Sequence, residues 1–138
     1  MKNVIDIISK LTHMMGQMEE TAKEQFNLAG LTYTQLHYME ALSMLGNPNI
    51  TELANYLKLT KPTVKVAIDK FIERDYVFKV LSDEDRRSSH LHLTEKGKLI
   101  NQMHEYAHKR IAESIGRKLS KEELVIFVGL LNKVLSEE

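Results

Sequence analysis

Between Ile50 and Gly97 the chain passes through two short apolar-periodic segments, a strand pair with a charged tip and the start of a further helix. Few architectures accept that order. Thr51 reads as a side-chain N-cap for a helix from Glu52 to Leu57, with Leu53, Ala54 and Leu57 on its inward face. Such a helix is too short to stand alone. Leu59-Thr60 makes a tight corner, with Thr60 capping the next helix and Pro62 in its first turn, where a missing N–H removes no hydrogen bond. This helix runs to about Arg74 and buries Val64, Ala67, Ile68, Phe71 and Ile72. It leaves Lys61, Thr63, Lys65 and Val66 on or near its outer N-terminal face.

Tyr76 to Leu81 is a strand by its β-branched and aromatic content, and His90-Leu91-His92-Leu93 alternates like a returning partner. His90 and His92 then face away from the leucines, toward solvent or a DNA backbone. Residues 82–89 are polar and charged, which suits a solvated hairpin tip carrying Arg86 and Arg87. Helix, tight corner, helix and β-hairpin together are what a winged helix-turn-helix uses to set one helix in the major groove of DNA with a β-loop beside it.

The 138 residues suit one domain. Net charge is zero, but it is unevenly spread. Residues 1–57 hold 3 Lys/Arg against 6 Asp/Glu, residues 58–98 hold 10 against 7, and residues 99–138 hold 6 against 6. The positive excess falls where phosphate contacts would be made. Cysteine is absent, which excludes a disulfide framework and a thiolate metal site and suits a reducing cytoplasm. The N-terminal stretch carries Asp6 and His13 in a helical pattern rather than an unbroken apolar run, so neither a signal peptide nor a membrane span is expected.

Flanking the winged segment, Val4, Ile5, Ile8, Leu11, Met15, Met18, Ala22 and Phe26 recur at three- and four-residue steps, predicting a long amphipathic helix ended by Gly30. Thr32 or Thr34 caps a second helix to about Leu45, and Gly46-Asn47-Pro48-Asn49 is a turn. Thr94 caps a long helix through Leu99, Ile100, Met103, Ala107, Ile111 and Ile115, and Ser120 caps a last one, Lys121 to Leu135. The first and last helices carry more apolar surface than one small winged domain covers, which points to a partner subunit. The expected fold is mainly α with a small β-hairpin (α+β): one domain over 1–138, with a winged region at 31–98 between dimerisation helices at 1–30 and 99–138.

Over its whole length the chain resembles MarR-family transcriptional regulators. The likeness is carried by ITELANYLKLTKPTVKVAIDKFIERDYV and by Asp85-Arg86-Arg87 ahead of Leu91-His92-Leu93-Thr94-Glu95-Lys96-Gly97. The resemblance implies a cytoplasmic homodimer acting on double-stranded DNA at a palindromic operator, most simply as a repressor. It places Thr60, Lys61, Thr63 and Lys65 at the start of the recognition helix. Arg87 is placed at the wing tip in the minor groove and oriented by Asp85, with Arg86 and Lys79 on phosphates. Asp75 stands where family members often have Gly, a left-handed position that Asp tolerates better than most residues.

The six histidines are the lead to an effector. His104 and His108 lie four apart on one helix face, a spacing that can chelate a metal. The segment Leu31-Thr32-Tyr33-Thr34-Gln35-Leu36-His37 resembles the L-T-x-T-Q-x-H segment of zinc-responsive MarR repressors, and gapless counting from it and from Leu93-Thr94 puts Glu19, His37, His104 and His108 at their primary zinc ligands. Leu36, Gln25 and Met103 stand where those repressors have second-site ligands, so a second site is not expected. The competing expectation is a small aromatic or phenolic anion held between the dimer helices and the winged region. The chain has no G-x-S-x-G, Walker loop or H-E-x-x-H, which argues against an enzyme, a zinc hydrolase included, and the wing arginines argue against a purely protein-binding winged helix.

Overall fold

The computed structural model describes residues 1–82, 84 and 88–137. Six helices and a two-stranded hairpin follow in the order α1 (Lys2–Gln25), α2 (Tyr33–Leu45), α3 (Ile50–Leu57), α4 (Lys61–Glu73), β1 (Val77–Leu81), β2 (Ser89–Leu93), α5 (Glu95–Lys118) and α6 (Lys121–Leu135). This is a mainly helical winged-helix fold. Among the described residues, no helix is long and apolar enough to cross a membrane.

Side-chain caps set most of the boundaries. Thr32, Thr60, Thr94 and Ser120 each accept a hydrogen bond from the backbone N–H three residues on, and Gln35 and Glu123 close reciprocal boxes on α2 and α6. The cap of α3 differs from the expected Thr51. Asn49 accepts from Glu52 N at 2.8 Å while its own N–H donates to the Glu52 carboxylate at 3.2 Å. This two-bond box outcompetes the single bond Thr51 could make, and α3 starts two residues early. The first helix also stops before the expected Gly30. Asn27 takes the left-handed conformation at φ 56°, and Leu28 N–H reaches back to Lys23 O at 2.8 Å.

Left-handed residues also end the next three helices. Gly46 ends α2 at φ 64°. Lys58, one residue before the expected corner, ends α3 at φ 56°, with Leu59 N–H bonding Ala54 O at 3.0 Å. Asp75 ends α4 at φ 63° as expected, and Tyr76 N–H closes on Phe71 O at 2.8 Å.

The strands pair antiparallel from Val77↔Leu93 to Leu81↔Ser89. Val77 and Leu91 turn into the core beside Leu36, Met39, Leu42, Leu53, Val64, Ile68, Ile100 and Met103. The hairpin is also anchored at the α2–α3 turn, where Leu91 N–H donates to Pro48 O at 2.8 Å. His90 and His92 do not simply face solvent. The His90 ring lies 3.0 Å from Asn47 O, the His92 ring stacks on Phe78 at 5.2 Å, and both are half-buried. The register opposite Phe78 and the nearby turn carbonyl supply these partners.

At the far end, α1 packs on α5 through its C-terminal half, where Ala22 is buried and Lys23 is held by Leu31 O at 2.7 Å and Glu20 at 2.8 Å. The opposite end of α1 exposes Val4, Ile5, Ile7 and Ile8. Helix α6 has no buried residue among those described, and it exposes Val125, Ile126, Val128, Leu130, Leu131, Val134 and Leu135.

Candidate nucleic-acid interface and metal-ligand cluster

Helix α4 is seated by one stripe and displays the other. Val64, Ile68 and Phe71 are buried, with Phe71 edge-on to Tyr38 at 5.3 Å. Lys61, Pro62, Thr63, Lys65 and Val66 are exposed. Thr60 and Thr63 share a hydroxyl–hydroxyl bond of 2.9 Å at the helix's N-terminal end, where the helix dipole favours an anion. All four residues expected at the recognition-helix start are therefore accessible together. Lys79 is not wholly free. Its Nζ lies 3.9 Å from Asp69 of α4, tying the hairpin's first strand to the exposed face of that helix. Asp85, Arg86 and Arg87 lie outside the described residues; the arms leading to them are joined by Ser82 N–H to Ser88 O at 3.0 Å.

The conspicuous run ending in Gly97 has a structural reason that spacing alone does not reveal. Thr94 N–H donates to Tyr76 O at 3.0 Å and its hydroxyl donates to Asp75 O at 2.6 Å, so the start of α5 is fastened to the turn that ends α4. A side chain at position 97 would collide with Tyr76 O, and Leu93 Cδ2 would stand 3.1 Å from it. Only glycine lets the two elements approach this closely.

A second cluster lies where α1 meets α5. Glu19, His104 and His108 each place one ligand atom within 4.8 Å of the others. The two rings are 4.2 Å apart, and His108 Nε2 is 3.9 Å from Glu19 Oε1. His104 is buried, and its Nε2 lies 2.8 Å from Glu40 Oε2 of α2. Its Nδ1 is buried with no hydrogen-bond partner among the described residues. Burial and the neighbouring His108 hold the His104 pKa below the ordinary imidazole value, against the opposing pull of Glu40 and Glu19. A neutral ring donating Nε2–H to Glu40 leaves a lone pair on Nδ1.

His37 does not join this group; its ring stacks on Tyr33 at 5.8 Å. Glu40 instead supplies the contribution from α2, one turn further along the same face. Sequence reasoning passed over Glu40, and the only available signal was its three-residue offset from His37. Leu36 and Met103, absent as second-site ligands, are fully buried core residues.

A groove of about 670 Å³ opens between the end of α2, the hairpin and the start of α5, lined in part by Ser43, Phe78, His92, Lys98 and Asn101.

The MarR family model matches residues 29–88. Two curated proteins of Bacillus subtilis, both uncharacterized HTH-type transcriptional regulators, are similar to the chain. YhjH is 19% identical over 151 residues, covering 99% of this chain and 86% of that protein. YpoP is 28% identical over 101 residues, covering 66% and 72%. Streptococcus pneumoniae FabT, solved in complex with DNA, has the same fold with a TM-score of 0.83 at 23% identity, over 96% of this chain and 93% of that one. The winged segment thus matches the MarR family model, and nearly end to end the chain shares the winged-helix fold of the DNA-bound FabT structure.

Proposed function

We propose that the protein is a cytoplasmic, sequence-specific regulator of transcription that binds double-stranded DNA as a homodimer at a palindromic operator, in the sense of a repressor. The observation that carries this is the exposed N-terminal face of α4, with Lys61, Thr63 and Lys65 turned outward from a helix whose other stripe is locked in the core. The family match is to regulators rather than to an enzyme family. Uncovered apolar faces on the start of α1 and on α6 support the dimer, because two copies can bury them against each other. Selection from randomised duplexes by the purified protein tests the reading. Enrichment of an inverted repeat with half-site centres about one helical turn or a whole multiple apart supports it; recovery of unrelated sequences contradicts it.

Control by one zinc ion per subunit fits the residues present. Zinc supplies a divalent centre that accepts nitrogen and carboxylate donors from separate helices. Glu19, His104 and His108 would hold it; His37, which the resemblance implies as a further ligand, stands outside this group. Glu40 keeps Nδ1 of His104 available by engaging Nε2, the arrangement in which a carboxylate behind a histidine fixes its tautomer. Ligands from α1 and α5, backed by α2, would clamp these helices. Through Thr94 and Gly97, α5 is fastened to the end of α4, so clamping shifts the spacing of the two recognition helices. Zinc is expected to promote operator binding. A small aromatic anion in the groove beside Phe78 and Lys98 is the competing effector, with release as its expected effect.

Titration of chelator-treated protein against a chromophoric zinc competitor separates the two. One zinc per subunit is expected, weakened at least about 100-fold by His104→Ala and about 10- to 100-fold by Glu40→Gln with unchanged stoichiometry. Equal zinc affinity in wild type and His104→Ala contradicts the metal reading.

A further inference from the structure

Val66 stands out on the exposed face of α4. It is 57% exposed, while its helix neighbours Val64 and Ile68 are fully buried. Lying two residues from each, it sits about 200° around the helix from both, on the side opposite the buried stripe and at the edge of a groove that Thr63, Lys70 and Phe71 also line. Lys65 and Thr63 flank it, and Pro62 and Lys70 lie one turn to either side on the same exposed face. No other large apolar residue of α4 is exposed to this degree.

Lysines and threonines can bond phosphate oxygens or base edges, but a valine at the centre of this face has no polar contact to make. In the major groove one base offers an apolar handle: the 5-methyl group of thymine. We propose that Val66 is a specificity-determining residue that reads a thymine methyl group in each half-site. The inference rests on the DNA-binding role proposed above and assigns one side chain to one base chemistry. Lys61 and Lys65 then supply affinity that varies little with sequence, while Val66 discriminates thymine from cytosine and from uracil at one position.

The test uses the full-length protein and the duplex enriched by selection. Each thymine is replaced in turn by deoxyuridine, which pairs identically and lacks only the methyl group. Affinities are measured for wild type and Val66→Ala, a substitution at an exposed position that leaves the fold intact, as thermal melting confirms. At one thymine position per half-site, uracil is expected to weaken wild-type binding about fourfold, the worth of one methyl-sized apolar contact, and about fifteenfold when replaced in both half-sites. Val66→Ala is expected to bind the thymine and uracil duplexes equally. Uracil effects of the same size in wild type and Val66→Ala overturn the proposal, as does a selected site with no methyl-sensitive thymine. Both failures leave DNA binding itself standing. If selection enriches no duplex, with or without zinc, the DNA-binding role and this assignment fall together.

Discussion

Replacing Lys61 and Lys65 together by alanine is expected to weaken operator binding by about 100- to 1,000-fold at moderate salt. Both side chains are exposed at the N-terminal end of α4, beside the Thr60–Thr63 hydroxyl pair and clear of the buried stripe. A dimer carrying the substitutions loses four cations next to DNA, and each phosphate neutralised by a lysine releases about one counterion. The loss should therefore shrink as salt rises, with the slope of log affinity against log salt reduced by about four. Folding should change by no more than about 0.5 kcal/mol, because neither lysine packs against the core. Fluorescence anisotropy over a salt series provides both numbers. Wild-type affinity in the double variant would remove α4 as the DNA-facing helix.

Gly97→Ala should be the most damaging conservative change in the chain. The added methyl would meet Tyr76 O, a backbone atom already engaged by Thr94 N–H, so it cannot withdraw without breaking a bond that begins α5. Leu93 closes the other side. Overpacking against immobile backbone is expected to cost about 3 kcal/mol and to lower Tm by about 10 °C. The strain falls on the joint between the cluster-bearing helix and α4, so any response of DNA affinity to zinc should weaken with it. Thermal melting and operator titration with and without zinc check both effects. A Tm within about 2 °C of wild type would show that α5 and the α4–β1 turn can separate at little cost.

Both predictions use features that the sequence displayed unequally. The α4 start was legible because its signals are local: Thr60 and Pro62 mark the first turn, and the spacing of Val64, Ile68 and Phe71 identifies the buried side. Ser120 and Thr94 were readable for the same reason. Asn49 was harder, because an Asn in a Gly-Asn-Pro-Asn turn reads as turn chemistry; its pairing with Glu52 decided in favour of the cap. Asn27 likewise preceded the more obvious stop at Gly30.

Contacts between elements distant in sequence were less accessible. Nothing local to Gly97 indicates Tyr76 O, and nothing local to His90 indicates Asn47 O. Of the expected zinc ligands, Glu19, His104 and His108 come together because α1 and α5 pack at the depth that their apolar periodicity implies. His37 and Glu40 share a face of α2, and which of them meets His104 depends on the rotation of that helix in the core, set by Leu36, Met39 and Leu42. That rotation is a property of the packed molecule.

Binding of duplex DNA through α4, with electrostatic support, is the proposal on which the others depend. The most direct measurement is wild-type affinity for the selected duplex from about 50 to 200 mM salt, with zinc present and with zinc chelated. A linear fall of log affinity with log salt is expected, worth about 10³-fold over that range for six phosphate contacts per dimer, with tighter binding when zinc is present. Absence of duplex binding at the lowest salt in both conditions would contradict it.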